Sequence, residues 1–255
     1  MSADTEAAVD APDVDQHTWK GLIVQPVGVL VALAALVLWL VTADLTEIEA
    51  VTLNPADLWG YTLQHLQLTA VATAVVLVVA IPLGILLTRG PMRRYTGLVV
   101  AIANIGQAAP AVGLIVLFAF GLGFGFVAAV AALIVYAILP VLKNTMVGLD
   151  GVDARLVEAG RGMGMSAASV LLRVELPLAV PVMLAGVRTA LILVVGTATL
   201  ATFVNGGGLG LLITTGVNLS LVRVLVTGSL LVALLALAID WLGRVVEHVA
   251  RPKGL

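Results

Sequence analysis

Few side chains in this sequence could carry out a reaction. The three histidines, His17, His65 and His248, are scattered between the tail and the edges of apolar runs, and His65, near the start of such a run, reads as a membrane-interface residue rather than a catalytic one. There is no cysteine, which removes thiolate nucleophiles, thiolate metal sites and disulfides. No cluster of histidines or paired carboxylates offers an acid–base or metal site, so neither a catalytic residue nor a metal ligand is expected. The run Gly206-Gly207-Gly208-Leu209-Gly210 lacks the lysine of a Gly-x4-Gly-Lys-Ser/Thr phosphate cradle. The chemistry that remains is recognition. It is concentrated in residues 158–177: Glu158-Ala159-Gly160, three residues, Gly164, nine residues, Val174, one residue, then Leu176-Pro177. A charged, glycine-punctuated patch has no use in lipid. It reads as a surface that another protein grips from water.

The rest of the chain must position that patch, and its solvent is a bilayer. Of 255 residues, 61% are hydrophobic and 11% charged, with a mean hydropathy of +1.14. Soluble domains carry roughly 25% charged residues. The first 16 residues hold Asp4, Glu6, Asp10, Asp13 and Asp15 and no base, which predicts a disordered acidic tail rather than a secretory signal. No nucleic-acid partner is expected.

A membrane-crossing helix needs about 20 apolar residues. Six stretches qualify: Leu22 to Ala43, Leu63 to Thr88 interrupted by Pro82, Leu98 past Pro110 to Gly121, Phe126 to Leu142, Leu178 to Phe203, and Val224 to Val246. The runs are continuous rather than alternating, so the fold class is an all-α membrane protein of about six transmembrane helices. Lys and Arg near span ends mark the cytoplasmic side. Arg89, Arg93 and Arg94 follow span two; Lys143, Arg155, Arg161 and Arg173 lie between spans four and five; Arg244, Arg251 and Lys253 end the chain. The stretch from Asp44 to Gly60 has acids and no base, and the loop from Val204 to Val222 has no ionisable residue. Both termini are therefore expected in the cytoplasm. Arg223 is the one base against this pattern. Only Lys20 marks the inner end of span one, so a peripheral first helix stays open.

Between spans four and five the caps are readable. Asp153 caps a helix from Ala154 to about Met163, and Gly164 ends it. Ser166 caps a second helix from Ala167 to about Val174, which Pro177 is expected to stop. Glu175-Leu176 then turn back into the membrane. Glu158 and Arg161 would face water, with Ala159 and Gly160 a smooth strip for close approach.

The full spacing resembles the EAA loop of type I importer ABC permeases, with Gly160 in place of the third alanine and Val174 in place of isoleucine. Flanking runs resemble the osmoprotectant branch, which moves glycine betaine, choline, carnitine or related quaternary amines. They include Leu139-Pro140-Val141-Leu142-Lys143-Asn144-Thr145, Gly148-Leu149-Asp150-Gly151-Val152-Asp153 and Glu175-Leu176-Pro177-Leu178-Ala179-Val180-Pro181. The resemblance covers about residues 61 to 253. It implies a type I permease fold, pairing with a second permease subunit, identical or paralogous, and two ATPase subunits that each receive a cytoplasmic coupling hairpin. An extracytoplasmic binding protein would deliver the solute. ATP and Mg2+ would sit on the ATPase, with no cofactor on this chain. The coupling residues carried over are Arg155, Glu158, Ala159, Gly160, Arg161, Gly164, Leu176 and Pro177. The domain plan is then an acidic tail (1–20), an extra helix and outer loop (21–60), a permease domain (61–248, hairpin 153–177) and a short C-terminal tail (249–255), in a bacterial cell membrane.

Residues of a passage are harder to place. Pro110 breaks span three with Gln107 one turn earlier, so Asn104 and Gln107 either face a wet path or are satisfied between helices. Arg188 lies well inside span five, where a fixed cation in the path would repel an ammonium head but hold a betaine carboxylate; the alternative is snorkelling to the interface. Asn205, Gly206, Gly207 and Gly208 form either a close-approach gate or a plain turn. Asp240 and Arg244 are spaced as a helix-face pair, and Trp241 as an interfacial anchor. Phe118, Phe120, Phe124, Phe126 and Tyr136 gather near the outer turn, but aromatic residues are only 5% of the chain. Quaternary ammonium groups are best held in aromatic cages, so selectivity would sit in the binding protein. Two rivals remain: a methionine or other amino-acid permease, and an ion-coupled transporter or channel. The second normally places paired charges at the midplane, which these spans lack.

Overall fold

The computed structural model describes residues 19–250, and every regular element in it is helical. The expectations for residues 1–18, the side chain of Lys20 and residues 251–255 fall outside it. The helices are α1 (Trp19–Thr42), α2 (Glu47–Thr52), α3 (Pro55–Leu87), α4 (Thr96–Ala108), α5 (Ala111–Leu122), α6 (Phe126–Asp150), α7 (Ala154–Gly162), α8 (Ala167–Val170), α9 (Leu176–Thr197), α10 (Gly210–Asn218) and α11 (Val222–Ala250). Short 3-10 segments, Gly90–Tyr95 and Ala198–Val204, lead into α4 and follow α9.

Among the described residues, five helical runs are long and apolar enough to cross a membrane. The pair α4 and α5 makes a sixth only as a broken span, bent by 101°. Pro110 is the reason: it lacks an N–H, and Ala109 before it is extended (φ −64°, ψ 144°). Pro82, expected to interrupt span two, sits inside an unbroken α3, as Pro140 sits inside α6 and Pro181 inside α9. Membrane helices tolerate such prolines where packed neighbours, Ser/Thr side chains or local adjustment re-satisfy the freed backbone groups.

The core is a sandwich of α3, α6 and α9 built from small side chains. Ala72 and Ala80 of α3, Ala128, Ala129, Ala132 and Ala137 of α6, and Ala190 of α9 are all buried. Lipid gives helices no hydrophobic reason to associate, so close backbone approach must do it. Gly186 shows how close: a Cβ there would lie 2.5 Å from Asn144 Cβ and 2.7 Å from Pro140 O. α11 packs on α9, and α1 lies outermost, against α11. Trp241 ties these two: its Nε1 donates to Leu22 O at 2.7 Å, rather than standing free as an anchor. α1 otherwise shows large apolar side chains outward, including Val24, Leu30, Val31 and Val41, as a lipid-facing helix must.

The extra elements before α3 were less legible. α2 opens with a capping box, in which Glu49 N donates to Thr46 Oγ1 (3.4 Å) and Thr46 N to Glu49 Oε2 (3.0 Å). Glu49 is buried and also accepts from Arg223 Nη1 at 3.1 Å. That pairing explains the base that breaks the charge pattern. The Thr46 N–H, opposed by burial and aided by the Thr46 hydroxyl and Arg223, holds the Glu49 carboxyl below its ordinary range. A lowered pKa means that the ionised form stabilises the native state above the ordinary carboxyl value, about 4.3, and that this contribution fades as pH falls through the lowered value. Amide protection over residues 46–53 is therefore expected to drop on acidification below the ordinary carboxyl value, about 4.3. Glu49→Gln should show the weak protection already at neutral pH; wild-type protection in that variant would exclude this role for the carboxylate.

Candidate functional site

The hairpin between α6 and α9 is closed by three local devices. Asp153 Oδ1 accepts from Arg155 N at 2.9 Å and starts α7. The Arg155 guanidinium, then its N–H, holds the Asp153 carboxyl below the usual range. At the far end Gly164 takes a φ of +81°, with Gly164 N bonded to Arg161 O (2.9 Å) and Met165 N to Gly160 O (3.1 Å). These two bonds form a Schellman stop, which satisfies carbonyls that the helix leaves orphaned. Ser166 Oγ then accepts from Ser169 N at 3.2 Å and starts α8.

The second leg departs from expectation. It does not stop at Pro177 and turn. The chain continues from α8 through one widened, π-helical turn, Leu171–Glu175, directly into α9, with Pro177 in the first turn of that helix. Leu176 N bonds to Leu171 O, so the widened ring opens the backbone just where proline supplies no donor. The inner leg and span five are thus one continuous run from Ala167 to Val204.

Arg155, Glu158, Ala159 and Arg161 are exposed on α7. Gly160 faces the other way: a Cβ there would meet Met165 Sδ and Val170 Cγ2 at 3.4 Å. Its close approach is to its own inner leg. Leu156 and Met163 are exposed apolar residues beside Glu158 and Arg161, and local spacing did not single them out. Leu176 packs with Leu149, Ala179 and Met183 at the root of the hairpin, and Pro177 is exposed. A missed contact braces that root. Glu175 is buried, and both its oxygens are taken by Arg89, with Nη1 to Oε1 at 3.0 Å and Nη2 paired to Oε2.

The expected passage residues separate into three places. Asn104 is exposed and its Oδ1 accepts from Lys143 Nζ at 3.4 Å, while Gln107 Nε2 donates to Tyr136 O at 3.3 Å. Both therefore engage α6, just before the Pro110 elbow. Arg188 reaches sideways to α11, neither free nor snorkelling. Its Nε donates to Asp240 Oδ1 at 2.7 Å and its Nη1 to Glu247 Oε2 at 3.3 Å. Asp240 also accepts from Arg244 Nε (3.0 Å) and from Gln25 Nε2 of α1 (3.1 Å). The helix-face pair is one edge of this larger network.

The glycine run lies at the opposite end of the bundle from the hairpin and is packed closely. Asn205 (φ 59°), Gly207 (83°) and Gly208 (93°) all have left-handed backbones. Gly208 N donates to Gln64 Oε1 at 3.0 Å. A Cβ on Gly206 would lie 2.9 Å from Ala129 Cβ. Beside it opens a pocket of about 360 Å3 lined by Tyr61, Gln64, Thr202, Asn205, Gly206 and Gly207. His65, expected at the membrane interface, is fully buried, with Nε2 3.0 Å from Val195 O and Nδ1 facing Gly208. The cause is the early start of α3. Asn54 and Pro55 begin the helix eight residues before Leu63, which carries His65 nearly three turns inside.

Residues 80–251, from within α3 through the hairpin to the end of α11, match the family described as binding-protein-dependent transport system inner membrane component. The chain belongs to this family. The glycine betaine/carnitine/choline transport system permease protein OpuCB of Bacillus subtilis is 41% identical over 202 residues, covering 79% of this chain and 92% of that protein. The osmoprotectant import permease protein OsmW of Salmonella typhimurium is 37% identical over 210 residues, covering 79% and 95%. Among solved structures, the MetNI methionine ABC transporter in an inward-facing form is similar, with a TM-score of 0.67 and 25% identity over 78% of this chain and 99% of that one. The fold is thus that of a type I ABC importer permease. A member of this transport family sits in the inner membrane and works with an ATPase and a substrate-binding protein.

Proposed function

We propose that this chain is the permease subunit for glycine betaine, choline, carnitine or related quaternary amines, and that it hydrolyses no ATP itself. The observation that carries the coupling role is the hairpin. It is capped at each turn, exposes Arg155, Glu158 and Arg161, and runs without a break into a spanning helix. A force applied there moves α9 as a unit. In this reading the hairpin end is cytoplasmic, as are both termini. Two permease subunits, identical or paralogous, pair across the passage, and two ATPases with bound ATP and Mg2+ each grip one hairpin. The binding protein presents solute at the glycine-run end. The cargo class rests on the curated relatives, both named for osmoprotectants.

Solute uptake in a deletion strain tests the cargo. Loss of the subunit is expected to abolish uptake of labelled glycine betaine, choline or carnitine under osmotic stress and to leave methionine uptake intact. Unchanged uptake of all three amines together with lost methionine uptake would reverse the assignment.

A further inference from the structure

The segment that joins α3 to α4 holds both roots of the hairpin. Arg89 precedes the 3-10 link Gly90–Tyr95, and Arg93 lies within it. Arg93 Nη2 is 3.6 Å from Asp150 Oδ1, the last residue of α6, where the chain leaves for the hairpin. Arg89 forks onto Glu175, where the chain returns. The two grips differ in kind. Arg93 and Asp150 are both well exposed, with side chains 68% and 50% accessible, so that pair contributes little. Glu175 is only 5% accessible, and a two-toothed guanidinium–carboxylate contact fixes orientation as well as distance.

α7 itself stands off from the link. A pocket of about 340 Å3 lies between them, with Arg89, Arg93, Asp150, Val157, Glu158 and Arg161 in its walls. The outer leg has room to shift there. At the inner root the half-buried Arg89–Glu175 pair makes that connection, beside the apolar cluster that Ile81 and Ile85 of α3 share with Leu171 and Leu176. On its other side stands α3, 33 residues and about 50 Å long at 1.5 Å per residue. Near its far end α3 carries Gln64, which holds Gly208, and His65 beneath the same loop.

We propose that the Arg89–Glu175 pair is the joint through which hairpin movement is passed to α3 and so to the glycine run, which makes Arg89 and Glu175 positioning residues for coupling ATP hydrolysis to solute movement. This rests on the permease reading above. The experiment uses the complete transporter, with its ATPase and binding protein, in proteoliposomes. Uptake of labelled glycine betaine and ATP hydrolysis are measured together. Glu175→Gln and Arg89→Gln are expected to assemble and hydrolyse ATP, while solute moved per ATP falls at least about five-fold. The exchange Arg89→Glu with Glu175→Arg is expected to restore most of that ratio. Arg93→Ala should stay within about two-fold of wild type. If Glu175→Gln does not assemble, Arg89→Lys, which keeps the charge and loses the fork, is read by the same ratio. A proportional fall of uptake and hydrolysis, or an unchanged ratio, overturns the proposal. Absence of solute-stimulated hydrolysis in the wild-type transporter would instead overturn the permease reading, and this joint with it.

Discussion

Replacing Gly164 by valine is expected to stop solute uptake and to release the ATPase, while the subunit still inserts in the membrane. Gly164 sits between the two legs at a φ of +81°. A residue with a Cβ in that region costs roughly 1–2 kcal/mol, and a β-branched one more. The chain relieves this by rotating away, which breaks the two bonds that close α7, Gly164 N to Arg161 O and Met165 N to Gly160 O. α7 has only nine residues, far short of what holds a helix together in water unaided. Arg155, Glu158 and Arg161 then lose their common face. Each ~1.4 kcal/mol lost from docking is tenfold in affinity, so ATPase recovered with the subunit should fall at least about tenfold. Gly164→Asn is expected to be milder, since asparagine tolerates this conformation. Co-purification measures the effect, with the amount of subunit in the membrane fraction as control. ATPase recovery at the wild-type level in the valine variant would remove the hairpin from the coupling role.

Asp240→Ala is expected to destabilise the bundle well beyond the loss of an exposed ion pair. Asp240 is buried and gathers Arg188, Arg244 and Gln25 from three helices. Without it Arg188 keeps only Glu247, and Arg244 loses its partner. Both guanidinium groups are partly accessible, so the cost is that of lost charged hydrogen bonds, about 1.5–3 kcal/mol. On the usual scaling that lowers the unfolding midpoint by roughly 5 °C. Gln25 also loses its acid, so α1 should loosen from α11. Thermal unfolding in detergent and the folded yield report the loss. Removing Arg188 as well, as Arg188→Met with Asp240→Leu, should recover part of it. Arg155→Ala, an exposed pair on the hairpin, is expected to cost less than about 1 kcal/mol. A midpoint for Asp240→Ala as close to wild type as that control would show the network to be dispensable.

What could be read from the sequence follows the range of the interactions. Caps and helix stops depend on a few neighbouring residues, so Asp153, Gly164 and Ser166 placed α7 and the start of α8 within a residue. Six apolar runs placed the spans. Pro177 misled because its meaning depends on the ring of the turn before it; a widened turn at Leu171–Glu175 accepts the proline that an ordinary α-turn would resist. His65 lies deeper than its distance from Leu63 implies because Asn54-Pro55, itself a helix-start signal, sits in an acidic stretch that reads as an outer loop. The ion pairs that organise the structure join residues 52, 86 and 174 positions apart. Arg188, Arg89 and Arg223 were visible as bases, but nothing in their local spacing names Asp240, Glu175 or Glu49 as partners.

The elbow at Pro110 constrains what surrounds this subunit. The closing carbonyls of α4 and the opening amides of α5 fall outside any helical ladder, and α5 has no side-chain cap. Hydrocarbon offers such groups nothing to bond. The notch where the two half-helices diverge is therefore hydrated, or is filled by polypeptide, whenever the protein is in a membrane. A lone protomer ringed by acyl chains would leave that notch unsolvated, so the bend itself disfavours the solitary state.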